Sequence, residues 1–255
     1  MGYYDLTPDA RKKVFAEMEM HIREAYRSHE MDDMLQYFSD NDTYIRKNSA
    51  LITGRLYREQ EYRENIFACL NNLLKHENSK VRQTAVNCLG EIGKTDASVL
   101  DVLGTILSDP HHSVRNAVIG ALKQMGEKNP APTLAFASEH IHHSDPLVRR
   151  EMVHGIEMRG RMHPEEVLPI LRELEFEEDK VVQAMVVHVI GQISYKKGCL
   201  EKVLGALEGF RNQELVKKAL AEIVNTHKSY QKFAEKSPAE AEKLICERFG
   251  TGVLE

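Results

Sequence analysis

The sequence predicts an all-α fold, a right-handed α–α superhelix (solenoid) of about six two-helix repeats with a helical cap at each end. Three observations predict it. The 255 residues contain no Trp, only 7% aromatic side chains, 15 Gly and 8 Pro, which is too little strand-forming and turn chemistry for an all-β protein. Apolar residues recur at helical spacing within segments, and those segments repeat about every 34 residues. A hydrophobic content of 42% with a net charge of −5 excludes an intrinsically disordered chain.

The repeat is set by apolar anchors at Ile45, Val81, Val114, Val148, Val182 and Leu215, whose successive separations are 36, 33, 34, 34 and 33 residues. Four residues after the anchors come Ser49, Ala85, Val118, Met152, Val186 and Ala219. Eight after them come Thr53, Leu89, Leu122, Ile156, Ile190 and Ile223, and eleven after them Leu56, Ile92, Met125, Arg159, Ile193 and Thr226. Offsets of 0, 4, 8 and 11 trace one stripe of an α-helix, so each repeat is expected to bury one face of a helix that starts just before its anchor. Three residues before the anchors stand Asp42, Asn78, His111, Asp145, Asp179 and Asn212. Asp and Asn there cap free backbone N–H groups. The same side chains are expected to reach the arginine after a neighbouring anchor, which accounts for Arg46, Arg82, Arg115 and Arg149 without a ligand. Gly54, Gly90, Gly93 and Gly191 recur at offsets 9 and 12 and read as close-packing positions.

A shorter helix precedes each of these, over about 62–74, 98–107, 133–140, 164–174 and 200–207. Pro146 and Pro164 mark helix starts, since the missing N–H costs nothing in a first turn. Thr7-Pro8 begins a long helix to about His29. Ser237 with Glu240 forms a capping box that begins a last helix to about Phe249. The whole chain, 1–255, is expected to be one solenoid domain: an N-terminal cap over 1–40, repeats over 41–226 and a C-terminal cap over 227–250.

The Asp-x-x-Val-Arg pattern, together with Leu89-Gly90-Glu91-Ile92-Gly93, resembles HEAT repeats, and the resemblance runs over roughly residues 42–226. The missing Trp-Leu-Gly signature sets it apart from tetratricopeptide arrays. It implies an armadillo-like interaction scaffold whose second helices line an inner surface. On those helices the residues two, six and ten after each anchor point away from the buried stripe. Lys47, Gln83, Asn87, Arg150, His154, His188 and Gln192 are therefore the candidate partner-binding residues. Arg150, His154 and His188 come from adjacent repeats and are expected to converge. The face is polar and mildly basic, which suits a protein or peptide partner.

More distantly, segment 145–194 resembles the HEAT-like DNA-alkylation-repair glycosylases, with Arg149-Arg150 matching a paired arginine of that family. The resemblance implies tryptophans that cradle a cationic base and a carboxylate that offsets developing positive charge. Here His188 takes one tryptophan position, and helix 112–126 has no Asp or Glu. Without an indole the cation–π attraction is lost, and without the acid nothing offsets an oxocarbenium-like sugar. Catalysis is therefore not expected; were the chain an enzyme, it would be a relative of these glycosylases. The alternative to a protein-binding scaffold is a DNA-binding protein or degenerate glycosylase of this kind, using a sparse basic stripe of Lys47, Arg55, Arg150, Arg161 and Lys217.

Other chemistry finds little support. His29-Glu30 and His76-Glu77 fall at helix ends and do not supply the four converging ligands of a di-iron site. The turn pairs His111-His112 and His142-His143 read as solvated. No metal or other cofactor is expected, and no glycine-rich phosphate loop or HExxH is present. Cys69, Cys88, Cys199 and Cys246 form no CxxC and read as reduced thiols of a cytoplasmic protein. No apolar stretch approaches the ~20 residues that span a bilayer, so no membrane association is expected. The N-terminal residues have no basic and apolar regions of a secretory signal.

Overall fold

The computed structural model describes residues 2–254, so the first and last residues of the expected domain lie outside it. Among the described residues all regular structure is helical. In chain order the α-helices are α1 (Pro8–Ser28), α2 (Asp32–Ser39), α3 (Thr43–Leu56), α4 (Arg63–Leu73), α5 (Ser79–Gly93), α6 (Val99–Ile106), α7 (His112–Lys128), α8 (Pro130–His140), α9 (Pro146–Gly155), α10 (Glu157–Gly160), α11 (Pro164–Glu173), α12 (Lys180–Gln192), α13 (Cys199–Leu207), α14 (Gln213–Ser229) and α15 (Pro238–Phe249). The chain divides into two compact units, one ending at Asn129 and the other beginning at Pro130. Each holds three of the six anchors. None of these helices is long and apolar enough to cross a membrane.

In the first unit α3, α5 and α7 pack side by side, and in the second α9, α12 and α14 do the same. These are the second helices of the repeats, and their stripes are buried as the spacing requires. Val81, Val114, Val148, Val182 and Leu215 are buried, as is every residue at offsets 4 and 8. Ile45 at the first anchor is only half-buried. All six cap residues accept a hydrogen bond from the backbone of their own helix, His111 through its imidazole. The capping box at Ser237 and Glu240 is present. The N-terminal cap region holds a second helix, α2, whose Met34 and Phe38 are buried.

Two expectations fail here. The fourth repeat's second helix is not continuous. It breaks at Ile156 into α9 and α10, and Arg159 at offset 11 is half-buried and forks onto Glu166 at 2.9 and 2.6 Å. A guanidinium cannot share the apolar seam filled by Leu56, Ile92, Met125 and Ile193 in other repeats. The second correction concerns the arginines after the anchors, which do not bind the cap side chains of neighbouring repeats. Each clamps the turn before its own helix. Arg82 donates to the carbonyls of His76 and Glu77 and Arg149 to those of His143 and Ser144. Arg46 and Arg115 donate to the carbonyls of Asp40 and Asp109, and Gln183 takes the same place on Glu177.

The link between repeats runs through a residue two places before the next cap. Arg82 forks onto Asp109 at 2.8 and 3.1 Å, and Arg149 forks onto Glu177 at 2.8 and 2.8 Å. Those carboxylates also accept the backbone N–H of the caps His111 and Asp179. His76 and His143 do the same for Asn78 and Asp145 with a ring nitrogen. Turn histidines are thus structural acceptors in this fold.

Close approach of the second helices explains two glycines. A Cβ on Gly90 would lie 2.8 Å from Cβ of Ala121, and one on Gly191 would lie 2.7 Å from Cγ of Glu222. Gly120 lies on α7 with nothing within 4 Å of its would-be Cβ.

Two outcomes are expected. Gly90→Ala loses about 1–3 kcal/mol through overpacking, against the ~1 kcal/mol that alanine gains in a helix interior. Gly120→Ala shows that gain alone. Urea midpoints at constant slope measure both. Glu177→Gln costs about 2–4 kcal/mol, because it leaves the shielded Arg149 guanidinium without its carboxylate. The hydrogen bonds from Arg149 hold Glu177 below the usual carboxylate range against the opposing effect of burial. Its stabilisation is therefore complete above the pKa of an unfolded glutamate and is lost as pH falls through the lower folded value. Denaturation midpoints measured from neutral to acid pH should converge for wild type and Glu177→Gln.

Candidate functional site

The second unit gathers most of the expected residues. Because Val148 and Val182 face the core, the residues two and six places further on α9 and α12 face outward. His154 and His188 meet edge to face, with ring centroids 6.4 Å apart. Arg150 stands on the same face of α9 and donates from Nη1 to Oε1 of Glu151 at 2.7 Å. His154 Nε2 lies 3.3 Å from Oε2 of Glu157, and His188 Nδ1 lies 3.7 Å from Oε1 of Glu222 on α14.

Gln192 does not face outward. It is 5% exposed and accepts from Nη2 of Arg161 at 2.6 Å. Arg161 also reaches Oε1 of Glu157 at 2.6 Å. Its guanidinium lies 5.7 and 5.8 Å from the ring centres of Tyr195 and Tyr230, which stack on each other at 4.9 Å. A hydrogen-bonded, desolvated amide holds an arginine in place and does not greet a partner.

Three residues of this network were not candidates: Glu151, Glu157 and Arg161 (the last named only for a basic stripe). Glu151 is 3% and Glu157 2% exposed. Oε2 of Glu151 is buried without a hydrogen-bond partner. A signal for both acids exists in the repeat register. Glu151 falls three places after an anchor, on the buried side. Glu157 falls at offset 9, where three other repeats carry Gly54, Gly90 and Gly191, and the helix break at Ile156 coincides with it.

In the first unit Lys47 is exposed, with Nζ 5.7 Å from the ring centre of Tyr44. Gln83 spans three helices, accepting from Arg46 at 3.4 Å and donating to the carbonyl of Ser113 at 3.3 Å. Asn87 is half-buried on the same face of α5.

Beside His188, α12 and α14 flank a groove of about 750 Å³ whose charged lining is Glu178, Lys180, Glu214, Lys218 and Glu222. Among the described residues no group of three or more His, Cys, Asp or Glu is placed to hold a metal ion. The four thiols are unpaired. Burial raises the Cys69, Cys88 and Cys199 thiols above their ordinary range, Cys69 to about 12, which disfavours the nucleophilic thiolate.

Paired helices stacked by a buried stripe, with an ion-paired polar face, define a helical-repeat fold. The family model described as HEAT repeats matches residues 31–122 and 68–140, and the chain carries HEAT repeats there. No curated protein matches the chain in sequence. Among solved structures, AlkD2 from Streptococcus mutans is 16% identical with a TM-score of 0.54, over 86% of this chain and 100% of that one. The smu.31 protein of Streptococcus mutans UA159 is 16% identical with a TM-score of 0.48, over 79% and 97%. A chain of the Pds5–Scc1 complex is 15% identical with a TM-score of 0.46, over 90% and 36%. The likeness to AlkD2 is one of fold.

Arg161→Met should destabilise the protein by about 2–4 kcal/mol, since it strips a guanidinium from the buried Glu157 carboxylate and from Gln192. Thermal and urea unfolding of the variant measure the loss. A change within about 0.5 kcal/mol would show that the network is not structural.

Proposed function

We propose that the protein is a non-catalytic docking scaffold that binds a protein or peptide on the outward faces of its second helices. The observation that carries this reading is the groove between α12 and α14. It sets three carboxylates, Glu178, Glu214 and Glu222, against Lys180 and Lys218. Such a lining repels a phosphodiester backbone and complements a polypeptide of mixed charge. Around it, Arg150 donates to Glu151, and one ring nitrogen each of His154 and His188 lies 3.3 and 3.7 Å from Glu157 and Glu222, so each of the three cationic or titratable groups faces an acid. Rigid helices with short connections suit recognition, because little ordering entropy is lost on binding.

A second reading, DNA binding by a degenerate relative of the alkylation-repair glycosylases, is favoured by the fold shared with AlkD2. Its cations are weakly supplied. Arg149 is held by Glu177 and Arg150 by Glu151, and only Lys47, Arg55 and Lys217 of the expected basic stripe are exposed.

Three measurements separate the readings. With DNA containing alkylated purines, no base release is expected; release abolished by Arg150→Ala would overturn the scaffold reading. In gel shifts with duplex, nicked and branched DNA no salt-sensitive complex is expected. A protein captured from the source cell should be retained about tenfold less by the double variant Lys180→Glu, Lys218→Glu, which leaves the buried stripes intact.

A further inference from the structure

The first unit holds a site of a different kind. The short turn Tyr3–Asp5 folds across α1 and α3, with the Tyr3 N–H donating to Asp42 at 2.5 Å and the Tyr3 hydroxyl to the Arg11 carbonyl at 3.4 Å. Tyr4 packs edge-on against Tyr44 at 4.2 Å. Three cations lie against aromatic rings there: Arg11 5.0 Å from the Tyr4 centroid, Arg55 5.3 Å from Phe15 and Lys47 5.7 Å from Tyr44. A ring steadies a cation while leaving its N–H groups at the edge free for a ligand.

The turn, α1 and α3 flank an open depression of about 560 Å³ on the surface. Arg11, Lys12, Asn48 and Arg55 line it, and no carboxylate does. The nearest acids are engaged elsewhere. Both oxygens of Asp42 accept backbone N–H groups, from Tyr3 and Tyr44. Asp5 accepts the Gly2 N–H, and Asp9 pairs with Lys12 on the exposed side. Arg11, Lys47 and Arg55 make no ion pair among the described residues. Two of these lining side chains each carry a buried donor with no hydrogen-bond partner, Nε of Arg11 and Nδ2 of Asn48. Buried donors without acceptors are costly unless a ligand supplies the acceptor.

We propose that this depression binds a phosphoryl group carried on a side chain of a partner polypeptide. The proposal rests on the scaffold reading and specifies one of its contacts. Several cations with no acid in the lining match a dianion better than a single carboxylate, and a guanidinium fork beside an amide donor matches phosphoryl oxygens. A nucleic acid strand fits less well. It requires a track of cations at successive phosphates, whereas the outward residues that follow on α5 and α7 are Gln83, Asn87, Glu91, Asn116, Gly120 and Gln124, none of them a cation.

The test uses the full chain and four fluorescent probes: a degenerate phosphoserine peptide mixture, the same mixture unphosphorylated, the mixture with glutamate in place of phosphoserine, and a short single-stranded DNA. The phosphorylated mixture should bind about tenfold or more tightly than the other three. Inorganic phosphate should compete with it. Arg11→Gln and Asn48→Asp should each reduce its binding about tenfold while helical content and melting temperature stay near wild type; Arg55→Gln serves as a further variant should Arg11→Gln unfold. Equal binding of the three peptide mixtures, no binding of the phosphorylated one, tighter binding of the DNA, or indifference to both Arg11→Gln and Asn48→Asp would overturn the proposal. Competition by inorganic phosphate without any gain from the peptide would make the ligand a free anion and would also overturn it. None of these results bears on the groove between α12 and α14, which the Lys180 and Lys218 variants test separately.

Discussion

Everything in this protein follows from the need to bury one stripe of each second helix against the second helix beside it. A lone two-helix repeat cannot cover its own apolar face, so neighbours must stack. Side-by-side packing at close range then decides the rest. It puts Ala, Ser or Val four residues after five of the six anchors, with Met152 at the other, and requires glycine where backbones approach, as at Gly90 and Gly191. It also turns the residues two and six places after each anchor away from the buried stripe, toward solvent.

The arginine after the anchor holds the joint between the two helices of a repeat. Carbonyls at the end of a first helix have no intrahelical partner. A guanidinium supplies two or more donors in a fixed fork, enough to satisfy two turn carbonyls and, in Arg82 and Arg149, to grip a carboxylate of the following turn as well. That carboxylate in turn orients the next cap through its N–H. Orientation is thereby passed from one repeat to the next by hydrogen bonds at the turns as well as by apolar contact along the helices.

The two units present their polar groups differently. On α9, α10, α12 and α14 acids and cations neutralise one another, and a partner there meets a surface already balanced. Beside α1 and α3 the cations lean on rings instead of acids. Aromatic support keeps a positive charge oriented without cancelling it, so net attraction for an anion survives at that end of the chain.

Apart from α2, the one-dimensional pattern was enough to mark the helices, their caps and most of the buried stripe. These depend on residues close in sequence, and a 3.6-residue period writes them directly into spacing. Lys47, Arg150, His154 and His188 were legible as outward residues for the same reason. Four features depended on contacts between residues far apart in the chain: the withdrawal of Gln192 beneath Arg161, the break at Ile156, the pairing of Arg82 and Arg149 with acids 27 and 28 residues on, and the meeting of Tyr4 with Tyr44. Such partners are chosen by where whole helices come to rest, and the tertiary structure alone settles that, because a side chain's reach spans repeats while the pattern that names it does not.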